Sequence, residues 1–185
     1  SDDETAYDEG SAPFPYDTGR LKAVGEAAAD MAGWGRALPD REGLGFAMHY
    51  SFYSYVAMVA HVSVGPEDEL TVHRVDDAHY CGPVLNPDAV EAQMQGAIAM
   101  SMSVVKHARI SLRNGAVEQS NYHDYPVIRT TEMPEVNVKV IQTGSVPSGI
   151  GDLVVPPLSP AVLNAIFAAT GVRIRDLPLE GQDLS

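Results

Sequence analysis

The sequence is short of the residues on which several kinds of chemistry depend. It has one cysteine, Cys81, so no disulfide can close within the chain and no cysteine-based zinc or iron–sulfur site can be built from it alone. Positive charge is scarce: 12 Lys and Arg stand against 25 Asp and Glu, a formal net charge of −13. That balance leaves no basic footprint for nucleic acid or an anionic membrane surface. No apolar run approaches the roughly 18 residues of a membrane-spanning helix, and no basic-then-apolar leader opens the sequence. It also starts without Met, as a processed or excised segment would. Internal repeats are missing too.

What is present is a globular composition. Apolar residues make up 45% and charged residues 20% of 185 positions, which suffices for one domain with a packed core. The opening stretch SDDETAYDEGSAPFPYD is acidic and without periodicity. Residues 1–17 therefore read as a poorly ordered acidic arm, 18–180 as the domain and 181–185 as a tail.

Hydrophobic spacing then sets the expected elements. TGRLKAVGEAAADMAGWG reads as a helix with Thr18 as N-cap and Gly33/Gly35 as the stop. Residues 44–65 are apolar on both alternating faces and read as one long, doubly buried strand; LTVHRVDDAHY returns beside it as a second. NPDAVEAQMQGAIAMSMSVVKH is the longest helix, with Pro87 in its first turn. Asn114-Gly115 signals a hairpin, and EVNVKVIQ alternates as a further strand. The last helix reads as capped by Ser159, begun by Pro160 and stopped by Gly171. The sum is an α+β domain of mostly antiparallel strands with about three helices.

Six histidines raise the question of a metal. None forms an HxxxH pair and no Cys or Glu cluster stands beside them, so local hydrogen bonding is the expected fate of His61, His73 and His79. In NYHDY, strand alternation would send His123 and Asp124 to opposite faces, which argues against a catalytic dyad. Gln93 lies beside the apolar stripe of the long helix; facing inward it serves either as a core amide with a backbone partner or as a ligand contact. Asp152 follows Gly149 and Gly151 in GSVPSGIGDLVVPP. It is either a turn carboxylate that caps nearby N–H groups or an acid aimed at a pocket whose edge the glycines let a ligand approach.

Five segments in one order carry a resemblance: GRLKAVGEAAADMAGWG, GFAMHYSFYSYVAMVAHVSV, LTVHRVDDAHYCGPVLNPDAVEAQMQGAI, RNGAVEQSNYHDYPVIRTTEMPEVNVKVI and GIGDLVVPPLSPAVLNAIFAATGVRIRDLPL. Together they resemble the C-terminal part of the large, molybdenum-binding subunit of the xanthine dehydrogenase/aldehyde oxidase family. The likeness is strongest to the branch of the isoquinoline 1-oxidoreductase beta subunit and membrane-bound aldehyde dehydrogenases. The resemblance implies a molybdenum–molybdopterin cofactor, often the cytosine dinucleotide form, and hydroxylation of an aldehyde or N-heterocycle. On it, Gln93 matches the helix glutamine beside the pterin, with Gly96 one turn on. Asp152 matches the catalytic base of the loop that Gly149 and Gly151 open. It assigns this chain no metal ligand.

Three departures accompany the likeness. The family base is commonly glutamate, one methylene longer than Asp152; Tyr80-Cys81-Gly82 stands where the family commonly has DCG; and DLVVPP replaces EPGTPP. A displacement of about 1 Å can cost roughly 100-fold in a positioned step. The resemblance further implies upstream segments of the same subunit that complete the site. It also implies an iron–sulfur or cytochrome c (haem) partner subunit, a periplasmic or membrane-associated location, and no activity from this chain alone. A non-catalytic assembly module of the same family is the alternative reading, and an acidic ligand-binding domain without molybdenum is a third.

Overall fold

The computed structural model describes residues 16–142 and 147–184. Most of the expected acidic arm, residues 1–15, lies outside them; Tyr16 packs edge-on against Tyr50 at 5.2 Å between ring centres. Asp17, rather than Thr18, caps helix α1 (Thr18–Ala32): its Oδ1 accepts the Arg20 N–H at 3.0 Å, and its carboxylate also pairs with the Arg20 guanidinium. Gly33, at φ 63°, ends the helix as expected.

The long strand expected over 44–65 is two strands. β1 (Glu42–Ser51) and β2 (Ser54–Val64) pair antiparallel around Phe52 and Tyr53, which hold φ of 48° and 67°. Such a turn usually announces itself with Asn-Gly. Here two aromatic residues adopt the left-handed region, at a cost on the order of 1–2 kcal/mol each, so the sequence carries no turn signal. β3 (Leu70–Tyr80) continues the antiparallel meander, with a register shift at His61/Val62.

Helix α2 (Pro87–Lys106) starts where Asn86 Oδ1 accepts the Ala89 N–H, and buries Val90, Met94, Ala97, Ile98, Ser101 and Val105 along one stripe. The short strands β4 (Leu112–Arg113) and β5 (Ala116–Val117) turn at Asn114-Gly115, as the dipeptide predicts. β6 (Glu135–Val140) then joins β3 in parallel and completes a sheet of order β1-β2-β3-β6. NYHDY is a turn rather than a strand. Asp124 accepts the N–H groups of Ser120 and Asn121, which hold its pKa down to about 2, and exposed His123 lies 3.6 Å from it.

The last helix, α3 (Val155–Thr170), begins four residues before the expected Ser159 cap. Pro156 and Pro157 have no N–H to satisfy, so the first turn lacks two of the donors that normally need a cap. Burial of Leu153, Val154 and Leu158, all at 0% exposure, fixes that turn in the core. Pro160, expected to start the helix, lies inside it, while Gly171 ends it at φ 80° as expected.

β2 lies between two apolar layers. Val56, Met58, Ala60 and Val62 face α2 and α3, while Tyr55, Ala57 and Val59 face α1. The doubly buried reading holds for β2, where each large side chain contributes about 1.5–3 kcal/mol, but not for β1, which is only partly covered beyond Gly45. The fold is therefore α+β, with α1 on one side of the sheet and α2 and α3 on the other. α3 lies directly on β1 because Gly43 and Gly45 carry no side chain: a Cβ at Gly45 would stand 2.0 Å from Ala161 O, and one at Gly43 2.2 Å from Ala165 O. Asn164 on α3 also donates to Phe46 O at 3.0 Å, which occupies part of the edge strand's backbone.

Candidate functional site

The loop carrying Gly149, Gly151 and Asp152 is fastened at both ends. Ser54, fully buried beside the β1–β2 turn, donates to Gly149 O and shares a 2.8 Å hydrogen bond with Ser148 Oγ. Ser148 N–H donates to Cys81 O at the end of β3. Beyond the loop, Leu153 and Val154 are buried, and Val155 N–H donates to Asp152 O at 3.2 Å. Between these fastenings, Gly149, Gly151 and the Asp152 side chain are exposed. His49 on β1 is half-buried; burial lowers its pKa and the negative charge of Asp152 opposes that shift.

Gln93 does not face inward as expected. It lies on the flank of α2 outside the buried stripe and is exposed, as is Gly96. Its amide is thus no core amide, and no hydrogen bond joins it to another described residue. α2 meets the start of α3 at Ser101, whose Oγ donates to Val155 O at 3.0 Å. From Ser101, Gln93 is eight residues back along α2, about 12 Å. The structure thus gathers Gly149, Gly151 and Asp152 into one loop, and sets Gln93 and Gly96 apart from it on the adjacent helix.

Glycine separates these positions from the rest of the fold. The other described glycines have a local reason: a positive φ, or a neighbour within 3.1 Å of where a Cβ would stand. Gly96, Gly149 and Gly151 have neither, and a Cβ at any of them would meet nothing within 4 Å. In the helix interior at Gly96, glycine costs roughly 0.5–1 kcal/mol relative to alanine, while Gly149 and Gly151 lie in the loop, where no such cost applies.

A second cluster escaped the sequence reading, although alternation along VDDAHYC could have shown it. Asp77, His79 and Cys81 alternate on the face of β3 that meets α2 and α3. The Asp77 carboxylate and His79 Nδ1 are 3.0 Å apart, and both side chains are fully buried. Burial raises the Asp77 pKa. For His79, burial disfavours the imidazolium, but the Asp77 hydrogen bond and the neighbouring charges of Asp77 and Cys81 outweigh it and hold the group up to about 9. Asp77 Oδ1 and His79 Nε2 have no hydrogen-bond partner; Cys81 nonetheless sits close enough to His79 to favour its charged form. Two other strand histidines are satisfied locally, His61 by Glu42 at 2.8 Å and His73 by Ser63 at 2.8 Å. Among the described residues, no group of three His, Cys, Asp or Glu side chains could hold a metal ion.

Comparison with known proteins gives the geometry a context. The sequence profile of the family described as "Molybdopterin cofactor-binding domain" matches residues 14–134, which contain Gln93 and Gly96 and end before the 149–152 loop. The chain is 35% identical over 164 residues to the beta subunit of isoquinoline 1-oxidoreductase from Brevundimonas diminuta, covering 86% of this chain and 21% of that protein. It is 30% identical to one subunit of nicotinate dehydrogenase from Pseudomonas putida, covering 97% of this chain and 17% of that one. Its fold superposes on quinoline 2-oxidoreductase from Pseudomonas putida 86 with a TM-score of 0.62 at 23% identity, over 68% of this chain and 17% of the other. The chain thus spans about a fifth of the length of these relatives.

Proposed function

The chain belongs to the molybdopterin cofactor-binding domain family, and from that membership we propose that it supplies one wall of the cofactor site of a molybdenum hydroxylase acting on aldehydes or N-heterocycles, incomplete as a catalyst on its own. One observation carries the reading: the glycines that the fold does not need, Gly96, Gly149 and Gly151, stand with exposed Gln93 and Asp152 at the positions where the resemblance puts cofactor and substrate.

The residues present fit such a group. The uncommitted amide of Gln93 offers two donors and an acceptor to a pterin edge. Gly96 keeps the helix surface clear beside it. Gly149 and Gly151 allow backbone N–H groups to approach a ligand without a Cβ between. When bound, the molybdenum–pterin group, in the cytosine dinucleotide form on this reading, supplies the two-electron oxidation. Asp152 then acts as general base, taking a proton at its carboxylate as the substrate carbon is hydroxylated. The buried Leu153–Val154 step and the Ser54 hydrogen bonds hold its backbone, so only the side chain needs to find its place. Other segments of the large subunit complete the pocket, and electrons leave through an iron–sulfur or cytochrome subunit.

Turnover of the complete enzyme with residue 152 varied tests the reading. Asp152→Asn keeps the shape and loses the base, with an expected fall of at least about 100-fold, whereas Asp152→Glu is expected to retain or raise activity. Equal turnover in the wild type, Asp152→Glu and Asp152→Asn would remove the base role and favour a non-catalytic module of the same family.

A further inference from the structure

The face of β1 that meets α3 carries Gly43, Gly45, Ala47 and His49 in alternation. The first two fix how the helix crosses it, with Gly43 under Ala165 and Ala169 and Gly45 under Ala161 and Ala165. The strand and helix therefore run in opposite directions. Moving from Gly45 to His49 covers about 13 Å of strand, which corresponds to about nine residues of helix. Counted back from the crossing at Ala161–Ala165, that arrives at the 152–155 turn. His49 thus sits beneath the turn that presents Asp152. The same end of the hairpin holds the loop a second time, through Ser54 to Gly149 O and Ser148.

We infer that His49 is the positioning residue of Asp152: its imidazole, carried on the rigid β1 strand, holds the carboxylate toward the site and couples the charge of the two groups. This rests on the proposed role of Asp152 as base. The surroundings suit a two-group pairing. α3 has no charged residue in its sequence, so nothing on the helix competes for His49. The next titratable group on this sheet face is His79, across Val56 in register, and it is already engaged by Asp77. Burial lowers the His49 pKa and the Asp152 charge raises it, as a through-space partner should. No hydrogen bond joins the two groups in this structure; on this inference a neutral imidazole donates its N–H to the carboxylate when the site is assembled, orienting it without neutralising it, which leaves it basic. One methylene shorter than glutamate, Asp152 has more to gain from such a fixed partner.

The test needs no cofactor. Histidine titrations followed by NMR in this chain, with the His49 signal assigned from His49→Gln, are expected to show the His49 pKa falling in Asp152→Asn. The other histidines should titrate unchanged. An unaltered His49 titration in Asp152→Asn would overturn the pairing. The complete enzyme separates this from the base role. His49→Gln is expected to move the acid limb of the kcat–pH profile while molybdenum content stays at the wild-type level. If Asp152→Asn shifts His49 but leaves turnover intact, the pairing stands and the base reading fails. If turnover depends on Asp152 but His49→Gln leaves the pH profile unmoved, the base stands and the positioning role fails.

Discussion

Two sets of glycines in this molecule do opposite things. Gly43 and Gly45 on β1 are pressed against the backbone of α3, where a single added carbon would collide with Ala165 O or Ala161 O. Gly96, Gly149 and Gly151 border open space and keep ordinary backbone angles. The first pair is explained entirely by packing inside the chain. The second set is explained by nothing inside it, and it coincides with the residues that the resemblance assigns to cofactor and substrate. On the proposed function, these exposed glycines keep room for a cofactor held between this chain and other segments.

The largest effect expected from breaking this contrast is at Gly45. Gly45→Ala forces helix and strand apart and is expected to destabilise the chain by about 3 kcal/mol, at the upper end of overpacking costs, measured by chemical denaturation. A loss below about 0.5 kcal/mol would contradict the close crossing. The buried Asp77–His79 pair comes next. Its histidine is held to about 9 in the fold against an ordinary value of 6.5. Its contribution is therefore fully present below about pH 6.5 and is lost as pH rises through about 9. The raised Asp77 pKa acts in the same sense, because a carboxyl that folding makes harder to ionise also loses stability as pH rises. Denaturation midpoints should fall between pH 7 and 10 in the wild type and stay flatter over the same range in His79→Gln.

Smaller effects sharpen the contrast from the other side. Ser54→Ala removes the buried hydroxyl that fastens the loop and is expected to cost about 1 kcal/mol, with faster amide exchange at Ser148 as its local sign. Gly96→Ala should stabilise the chain by up to about 1 kcal/mol, because an exposed helix interior with open space favours alanine. A destabilising Gly96→Ala, read in the same denaturation experiment, would show that the position has a packing role after all.

Much of the fold was legible because its signals are local. Pro87, Asn114-Gly115, Gly33 and Gly171 each end or begin an element through their own backbone chemistry, and the structure uses them as the sequence predicts. The failures came where tertiary contacts overrode that chemistry. Phe52 and Tyr53 turn without a turn residue. α3 starts at Val155 because Leu153 and Val154 are buried beneath it, and proline has no N–H to cap. At the candidate site, the resemblance picked Gln93 and Asp152, but spacing alone placed Gln93 inward when it is exposed. His49 and Ser54 went unnoticed because their partners are about a hundred residues away in sequence. Asp77 and His79 were the opposite case, a two-residue spacing on one strand that could have been read directly.

The most direct test of the account is the molybdenum content of the complete enzyme, measured by mass spectrometry, with Gly96→Leu and Gly151→Val alongside the thermal midpoint of this chain carrying the same changes. The account predicts midpoints no lower than the wild type's and molybdenum falling well below the wild-type level, near one per large subunit, because the added side chains fill space the fold leaves for the cofactor. Full molybdenum occupancy in both variants would contradict it: the open glycines would then be surface positions with no ligand to admit.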